Sequence, residues 1–252
     1  MNIETNETVF PTKHQRIDTL QEGIPFEDGG SYTAKAYKEQ ADKFYHKWCA
    51  DYYGKEPTLE ELSREYWDIV ETRSKRVTVD YGNDLDTTLV GSGFLRMTED
   101  DNDQSEEPEM FSHQYYKRTA WNLNNLPSAD GSVLKHITTP INGINVPWLY
   151  FGMLFSTFCW HNEDNYQYSI NYNHFGREKQ WYGIPGNRAK QFEKVAVRTM
   201  LFDAIQTHTQ VSKDFLMVSF KVSPDLLHHL TTQVSPSLLH GRQLLMLRYS
   251  VH

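Results

Sequence analysis

The sequence has 252 residues, a net charge of -8 at pH 7 and a pI near 5.7. This length allows one large domain or one and a half small ones. The acidic balance argues against a nucleic-acid-binding surface over the whole chain, and it suits a basic peptide partner. The two cysteines give neither a disulfide framework nor a structural zinc set, and the absence of a run of about 18 apolar residues predicts no membrane partner.

The first 74 residues divide into a polar lead-in or linker over residues 1–30 and a helical segment over residues 31–74. A helix is predicted over residues 33–53, because aromatic and apolar side chains recur there at steps of three and four residues. That face consists of Tyr37, Ala41, Phe44, Tyr45, Trp48 and Tyr52. Thr58 and Glu61 have the spacing of a capping box, which predicts the start of a second helix.

The chain from residue 75 to residue 252 predicts one further domain with a mainly β core. β-branched and aromatic residues are concentrated in several short segments, which is typical of strands. The predicted strands cover residues 75–81, 111–124, 133–138 and 148–158. Residues 99–109 are rich in acidic and amide side chains, as in a solvated loop.

Two more helices are predicted towards the end of the chain. The first covers residues 187–205, and the second covers residues 225–230. The side chains expected to face inward from the first are Ala189, Phe192, Val195 and Ala196. A succession of strands with flanking helices favours a β core that has helices packed outside it.

A histidine and a carboxylate stand two residues apart in an apolar, aromatic segment. Side chains at such a spacing point the same way from a strand, so His161 and Glu163 could hold one metal ion together. They supply two of the three ligands in the facial triad of non-haem Fe(II) oxygenases.

Polar residues further along keep the same alternation. If one strand runs unbroken from His161, Asn171 lies on the same face as this pair. Residues 174–178, with Gly176 at their centre, predict a turn, and the next strand carries Lys179 and Trp181. A lysine at the mouth of a metal site is a natural partner for a dianionic co-substrate.

The motifs together resemble the JmjC (Jumonji-C) domain of Fe(II)- and 2-oxoglutarate-dependent histone lysine demethylases. The branch that acts on methylated lysine four of histone H3 is the most similar. The segments that carry the resemblance are residues 77–84, 91–94, 121–127, 145–150 and 148–185. The resemblance implies a double-stranded β-helix, a cupin-like jelly roll, with N-terminal and additional surface helices.

The resemblance also implies roles for individual side chains. His161 and Glu163 are the expected metal ligands and catalytic centre. The residues expected to bind 2-oxoglutarate are Tyr81, Phe158, Asn171, Lys179 and Trp181. Tyr150 is expected to face the methylammonium group, and Asp84 is expected to pair with a basic side chain of the peptide.

The third metal ligand is expected far downstream, because the family places a second histidine on a late strand. The resemblance is lost after Pro185, and the domain is expected to be incomplete at its C-terminal end. His252 has about the separation from His161 that the family uses, and it follows the apolar residues 244–247. His252 is therefore the candidate for this ligand.

The functional expectation is a nuclear enzyme that demethylates histone H3, with Fe(II) as metal, 2-oxoglutarate as co-substrate, and the histone tail and chromatin complexes as partners. Three alternatives stay open. The chain could be a catalytically impaired module that binds histone or another partner, or a 2-oxoglutarate-dependent protein hydroxylase. It could also be a zinc- or manganese-binding cupin, although Asn171 and Lys179 suit 2-oxoglutarate better.

Overall fold

The computed structural model of the chain describes residues 7–22, 27–98, 107–161, 169–192, 194–195 and 244–249. Seven strands lie in this part of the chain. They are β1 (Phe10–Arg16), β2 (Glu27–Tyr32), β3 (Thr78–Asp86), β4 (Trp148–Phe151), β5 (Ser156–Thr157), β6 (Gln180–Ile184) and β7 (Leu244–Tyr249). The 3-10 turns cover Ile17–Glu22, Leu126–Ser128, Val133–His136 and Gly186–Arg188.

The described helices are α1 (Ala34–Tyr52), α2 (Leu59–Thr72), α3 (Thr87–Val90) and α4 (His113–Arg118). The first confirms the helix predicted over residues 33–53. The second confirms the capping box: the Thr58 side chain accepts from the Glu61 amide, and the Glu61 carboxylate accepts from the Thr58 amide. These reciprocal bonds satisfy backbone donors that a helix start otherwise leaves without partners.

The strands form two antiparallel sheets. One has the order β2-β1-β3-β4 and the other has the order β5-β7-β6. In the first sheet, Lys13 of β1 lies opposite Tyr81 of β3, and Gly82 of β3 lies opposite Phe151 of β4. In the second sheet, the register places Trp181 of β6 opposite residue 247 of β7.

The chain divides into two compact units. The first comprises residues 1–12, 30–39 and 82–151. Its core contains the stacked rings of Phe10 and Phe151, whose centroids are 4.3 Å apart, with Tyr37 tilted against both. Gly82 lies beneath this stack, and a Cβ atom there would come within 3.0 Å of the Phe10 ring. This close approach requires glycine.

The second unit comprises residues 13–29, 40–81 and 152–252. Phe155 is fully buried in it and meets Trp48 edge-on at 5.0 Å and Tyr66 at 6.3 Å. Beside this core, the amide of Gln15 donates to the Thr157 carbonyl and accepts from the Thr157 amide, both at 2.9 Å. The Gln15 side chain thus satisfies the backbone of Thr157 on the free edge of β5, whose other edge pairs with β7. The predicted boundaries at residues 30 and 74 stay a prediction.

Two of the predicted strands are wrong. Residues 113–118, predicted as strand, are α4, because the Ser112 hydroxyl caps the helix by accepting from the Tyr115 amide. Asn122 and Asn125 then donate their side-chain amides to nearby backbone carbonyls and hold a series of turns. Residues 133–136 are a 3-10 turn capped by Ser132. Such local bonds compete with the backbone pairing of a sheet.

Other predicted elements differ in length. The predicted strand over residues 148–158 is two strands, β4 and β5, and the strand predicted at residues 75–81 begins at Thr78 and continues to Asp86. In the predicted helix after Asn187, Ala189 and Phe192 are buried as predicted, whereas Val195 is exposed.

Ala196 and the helix predicted over residues 225–230 lie outside the described residues. No helix within the described ranges is long and apolar enough to span a membrane.

Candidate functional site

Lys179 lies between a turn and strand β6 of the second unit. Gly176 takes a φ of 97°, which confirms the turn predicted at residues 174–178. The Asn173 side-chain amide donates to the Arg177 carbonyl at 3.1 Å and closes this turn. Strand β6 then begins at Gln180. The backbone of Lys179 is therefore flanked by the turn on one side and by the strand on the other.

The Lys179 ammonium lies in an aromatic setting. Its Nζ is 4.5 Å from the centroid of the Phe158 ring and 4.9 Å from that of Trp181. It also donates to the Asn171 side-chain oxygen at 3.2 Å. Tyr81, which is 3% exposed on β3, meets Phe158 edge-on at 5.2 Å. The five side chains that the resemblance assigned to 2-oxoglutarate binding therefore lie in one continuous cluster.

Burial alters the electrostatics of this cluster. It lowers the pKa of Lys179 from the usual 10.5 to about 7, because taking the ammonium out of water disfavours the charged form. Two flanking rings and a neutral amide oxygen only partly replace the lost hydration. A carboxylate that reached Lys179 would therefore gain a charge-assisted hydrogen bond and would raise this pKa again. The cluster is suited chemically to an anion with an apolar stem.

His161 is oriented by a backbone carbonyl. Its Nδ1 lies 2.8 Å from the carbonyl oxygen of Cys159. Because a carbonyl oxygen only accepts, this contact requires a proton on Nδ1, and the neutral ring then carries its lone pair on Nε2. Metal-ligating histidines use the same arrangement, in which the second nitrogen donates to a carbonyl or carboxylate. His161 therefore fits the predicted role of metal ligand.

The other predicted ligands, Glu163 and His252, lie outside the described residues. Within the described ranges, no group of three or more histidine, cysteine or acidic side chains could hold a metal ion. The sequence predicts that Glu163, two residues further along the chain, and a third residue would complete a metal site at His161.

Tyr150 and Asp84 lie in the first unit and contact each other. The Tyr150 hydroxyl donates to the Asp84 carboxylate at 3.0 Å, and the neighbouring Asn83 amide donates to its other oxygen at 2.7 Å. Asp84 is exposed and has a φ of 53°, a conformation that aspartate tolerates in turns. The two side chains predicted to bind the peptide thus form one unit, in which the Tyr150 hydroxyl helps to orient the exposed Asp84 carboxylate.

The segment that carries Asn171 into the cluster differs from the one predicted from the sequence. The prediction of one unbroken strand from His161 to Asn171 is wrong, because residues 169–173 have no strand structure. Asn171 reaches Lys179 from this irregular segment instead. The contact between His161 and the Cys159 carbonyl cannot be predicted from the sequence, since backbone carbonyls carry no residue-specific signal. Burial raises the pKa of the Cys159 thiol to about 12, so the thiol stays protonated.

Residues 148–251 match the family model described as "JmjC domain, hydroxylase". The matched family has the cupin-like jelly-roll fold, so the predicted fold class is confirmed. Among the described strands, the two antiparallel sheets do not close into a barrel.

The chain is also similar to several curated proteins. It is 41% identical over 225 residues to lysine-specific demethylase JMJ17 of Arabidopsis thaliana. It is 42% identical over 214 residues to lysine-specific demethylase rbr-2 of Caenorhabditis briggsae, and 39% identical over 234 residues to lysine-specific demethylase 5B of Gallus gallus. These alignments cover 88%, 83% and 90% of the chain but only 17%, 13% and 14% of the relatives.

Proposed function

From the premise that this chain carries a JmjC domain similar to those of lysine-specific demethylases, we propose that it is an Fe(II)- and 2-oxoglutarate-dependent dioxygenase. Its substrate is methylated lysine four of histone H3, the residue that the resembled branch demethylates. Its place of action is the nucleus, where histone tails and chromatin complexes are its partners. The chain spans a small fraction of its relatives' length, so these properties are proposed for the domain.

The cluster around Lys179 carries the proposal. 2-Oxoglutarate has a distal carboxylate on a two-methylene stem, and this shape suits an ammonium that lies between two aromatic rings. Lys179 would bind the carboxylate, and the Tyr81 hydroxyl would add a second hydrogen bond. Phe158 and Trp181 would pack against the stem and exclude water, while Asn171 would contact the end nearer to the metal.

Three residues would hold the metal: His161, Glu163 and, as the third ligand, His252. Bound ferrous iron would supply the redox chemistry that couples dioxygen and 2-oxoglutarate to oxidation of the substrate. The protein would orient this chemistry. The Cys159 carbonyl fixes the His161 ring in the tautomer that offers Nε2, and Lys179 fixes the co-substrate from its opposite end.

The protein would recognise the positive charge of the peptide through the carboxylate of Asp84. Asp84 presents an exposed carboxylate that the Tyr150 hydroxyl and the Asn83 amide orient, and such a group suits a basic residue of a histone tail. The net charge of -8 favours the approach of that tail over long distances. Tyr150 would face the methylammonium, because the electron-rich face of its ring and its hydroxyl oxygen attract a cation.

The family description also names a hydroxylase, which favours protein side-chain hydroxylation as the second candidate function. Mass spectrometry separates the two. The purified chain is incubated with Fe(II), ascorbate, 2-oxoglutarate and an H3 peptide trimethylated at lysine four. We expect loss of methylene units from the peptide. Addition of an oxygen atom would select the hydroxylase instead, and peptide binding without any mass change would select an impaired binding module.

Binding of 2-oxoglutarate should depend on pH through Lys179. Below its pKa of about 7 the ammonium is already charged in the free protein, whereas above that value the ligand must bind together with a proton. We expect the dissociation constant, measured by calorimetry, to be constant just below pH 7 and to rise by about tenfold per pH unit above it.

The Lys179→Arg variant is the control for this pH profile. Its guanidinium stays protonated throughout the range, so any 2-oxoglutarate binding that it retains should lose the pH dependence above pH 7. A wild-type profile as flat as that of the variant would contradict the assignment of Lys179.

A further inference from the structure

The turn that precedes Lys179 is attached to the helical part of the second unit by Arg177. The Arg177 guanidinium forms an ion pair with the Glu56 carboxylate and lies 5.5 Å from the centroid of the Tyr45 ring. The Tyr45 hydroxyl donates to the same Glu56 oxygen at 3.4 Å. Tyr45 is 4% exposed on α1, and Glu56 lies just before α2. These three side chains therefore connect the turn to a buried helical residue.

A second attachment lies on the other side of Lys179. The Tyr182 hydroxyl of β6 is 2.5 Å from the Ser63 hydroxyl of α2, and the Tyr182 ring meets Trp67 edge-on at 5.3 Å. Lys179 thus lies between two residues, at positions 177 and 182, that are both attached to the helical layer. Contacts with the helical layer therefore add to the β6–β7 pairing in holding the backbone around Lys179.

We propose that Arg177 is a positioning residue for Lys179, acting through the Glu56 ion pair and the Tyr45 ring to hold the co-substrate lysine against Phe158 and Trp181. This inference rests on the proposed function, because it concerns the affinity of the same cluster for 2-oxoglutarate. It adds a residue that touches neither metal nor co-substrate. It also gives the N-terminal helical segment a direct role in the site.

The ion pair between Arg177 and Glu56 is largely exposed to solvent. The side chains of Arg177 and Glu56 are 39% and 59% exposed, and ion pairs this exposed contribute little to global stability. Loss of the pair should therefore leave the unit folded. It should loosen the turn at Arg177, although the bond from the Asn173 side-chain amide to the Arg177 carbonyl stays in place. Lys179 would then spend part of its time away from the binding geometry, which reduces apparent affinity by that fraction.

The test compares 2-oxoglutarate binding by the wild-type chain and by Arg177→Ala, using calorimetry, with the thermal unfolding midpoint measured for both. We expect the dissociation constant of the variant to be about three- to fivefold higher, the factor that corresponds to one partly exposed ion pair, with an unchanged midpoint. Arg188→Ala is the matched control, because the Arg188 side chain donates to the nearby Gln191 side chain at 2.8 Å, and it should bind like the wild type.

Two further variants keep the proposal testable if Arg177→Ala destabilises the chain. Glu56→Gln removes only the charge of the partner and should weaken binding similarly. The double exchange Glu56→Arg with Arg177→Glu restores an ion pair of reversed direction and should recover much of the lost affinity, which a merely structural effect would not predict. Arg177→Lys should recover only part of it, because lysine lacks the planar group that covers Tyr45.

The outcomes separate this inference from the function on which it rests. If the wild type binds 2-oxoglutarate and Arg177→Ala, Glu56→Gln and the double exchange all bind equally well, Arg177 has no positioning role although the proposed function stands. If the wild type itself does not bind 2-oxoglutarate, both the proposed function and the inference are wrong.

Discussion

Lys179→Met should weaken 2-oxoglutarate binding by about a hundredfold or more, since removal of one partner of a buried charge pair costs about 2–5 kcal/mol. Methionine keeps an unbranched apolar stem that can pack between Phe158 and Trp181. The variant therefore removes the charge and little else. The carboxylate of the ligand would be transferred from water into an aromatic setting without a cation to receive it. Calorimetric titration of 2-oxoglutarate measures the loss directly.

The control for this prediction is Lys190→Met, which removes an exposed lysine from the same unit. It should bind 2-oxoglutarate like the wild type.

The free energy of unfolding offers a second readout, because the pKa of Lys179 is lowered on folding. In the wild type the unfolded chain binds more protons between about pH 7 and the usual lysine pKa, so stability should rise with pH across that window. In Lys179→Met this contribution should be absent. Undiminished 2-oxoglutarate affinity in Lys179→Met would remove the basis of the proposed co-substrate site.

His161→Ala should lower the affinity for a divalent metal by more than about a hundredfold, because changes to residues that merely orient a ligand already cost 10- to 100-fold. The same loss is expected for Glu163→Ala, since both side chains are proposed ligands of one ion. Titration with Mn(II), followed by electron paramagnetic resonance, measures binding without oxygen chemistry. Demethylation of the peptide should disappear in both variants.

His174→Ala is the matched control for the metal site. His174 is an exposed histidine of the turn that precedes Lys179, and its removal should leave Mn(II) affinity unchanged. The proposed metal site would be refuted if His161→Ala and Glu163→Ala bound Mn(II) as tightly as His174→Ala. The role of His252 as the third ligand is tested separately. His252→Ala should weaken Mn(II) binding, and an unchanged affinity would exclude His252 as a ligand.

Several local features could be read from the sequence because short-range physics determines them. The recurrence of Tyr37, Ala41, Tyr45 and Trp48 predicts one face of α1, and all four are buried. The capping box of α2 needs only two residues at a fixed spacing. Gly176 marks the turn before Lys179, because its φ of 97° is accessible to glycine at little cost.

Two predicted strands could not be read correctly from the sequence, because side-chain hydrogen bonds to the backbone stabilise a helix and turns there instead. Residues 111–124 have the aromatic content of a strand, yet the Ser112 cap and the Asn122 and Asn125 side chains bind the backbone into a short helix and turns. The pattern of residue types does not reveal which hydroxyl or amide finds a backbone partner. The same competition explains why Ser132 caps a 3-10 turn in place of the strand predicted after it.

The helices before the candidate site and the turn that leads into Lys179 follow from spacing and from backbone preferences over a few residues, so they can be predicted from the sequence. The packed fold is needed to bring Tyr81, Phe158 and Lys179 together, to lower the pKa of that lysine to about 7 by burial, and to attach the turn to Glu56 through Arg177. The physical reason is distance along the chain: Arg177 and Glu56 are 121 residues apart, and such contacts form only when the whole unit packs and excludes water around them.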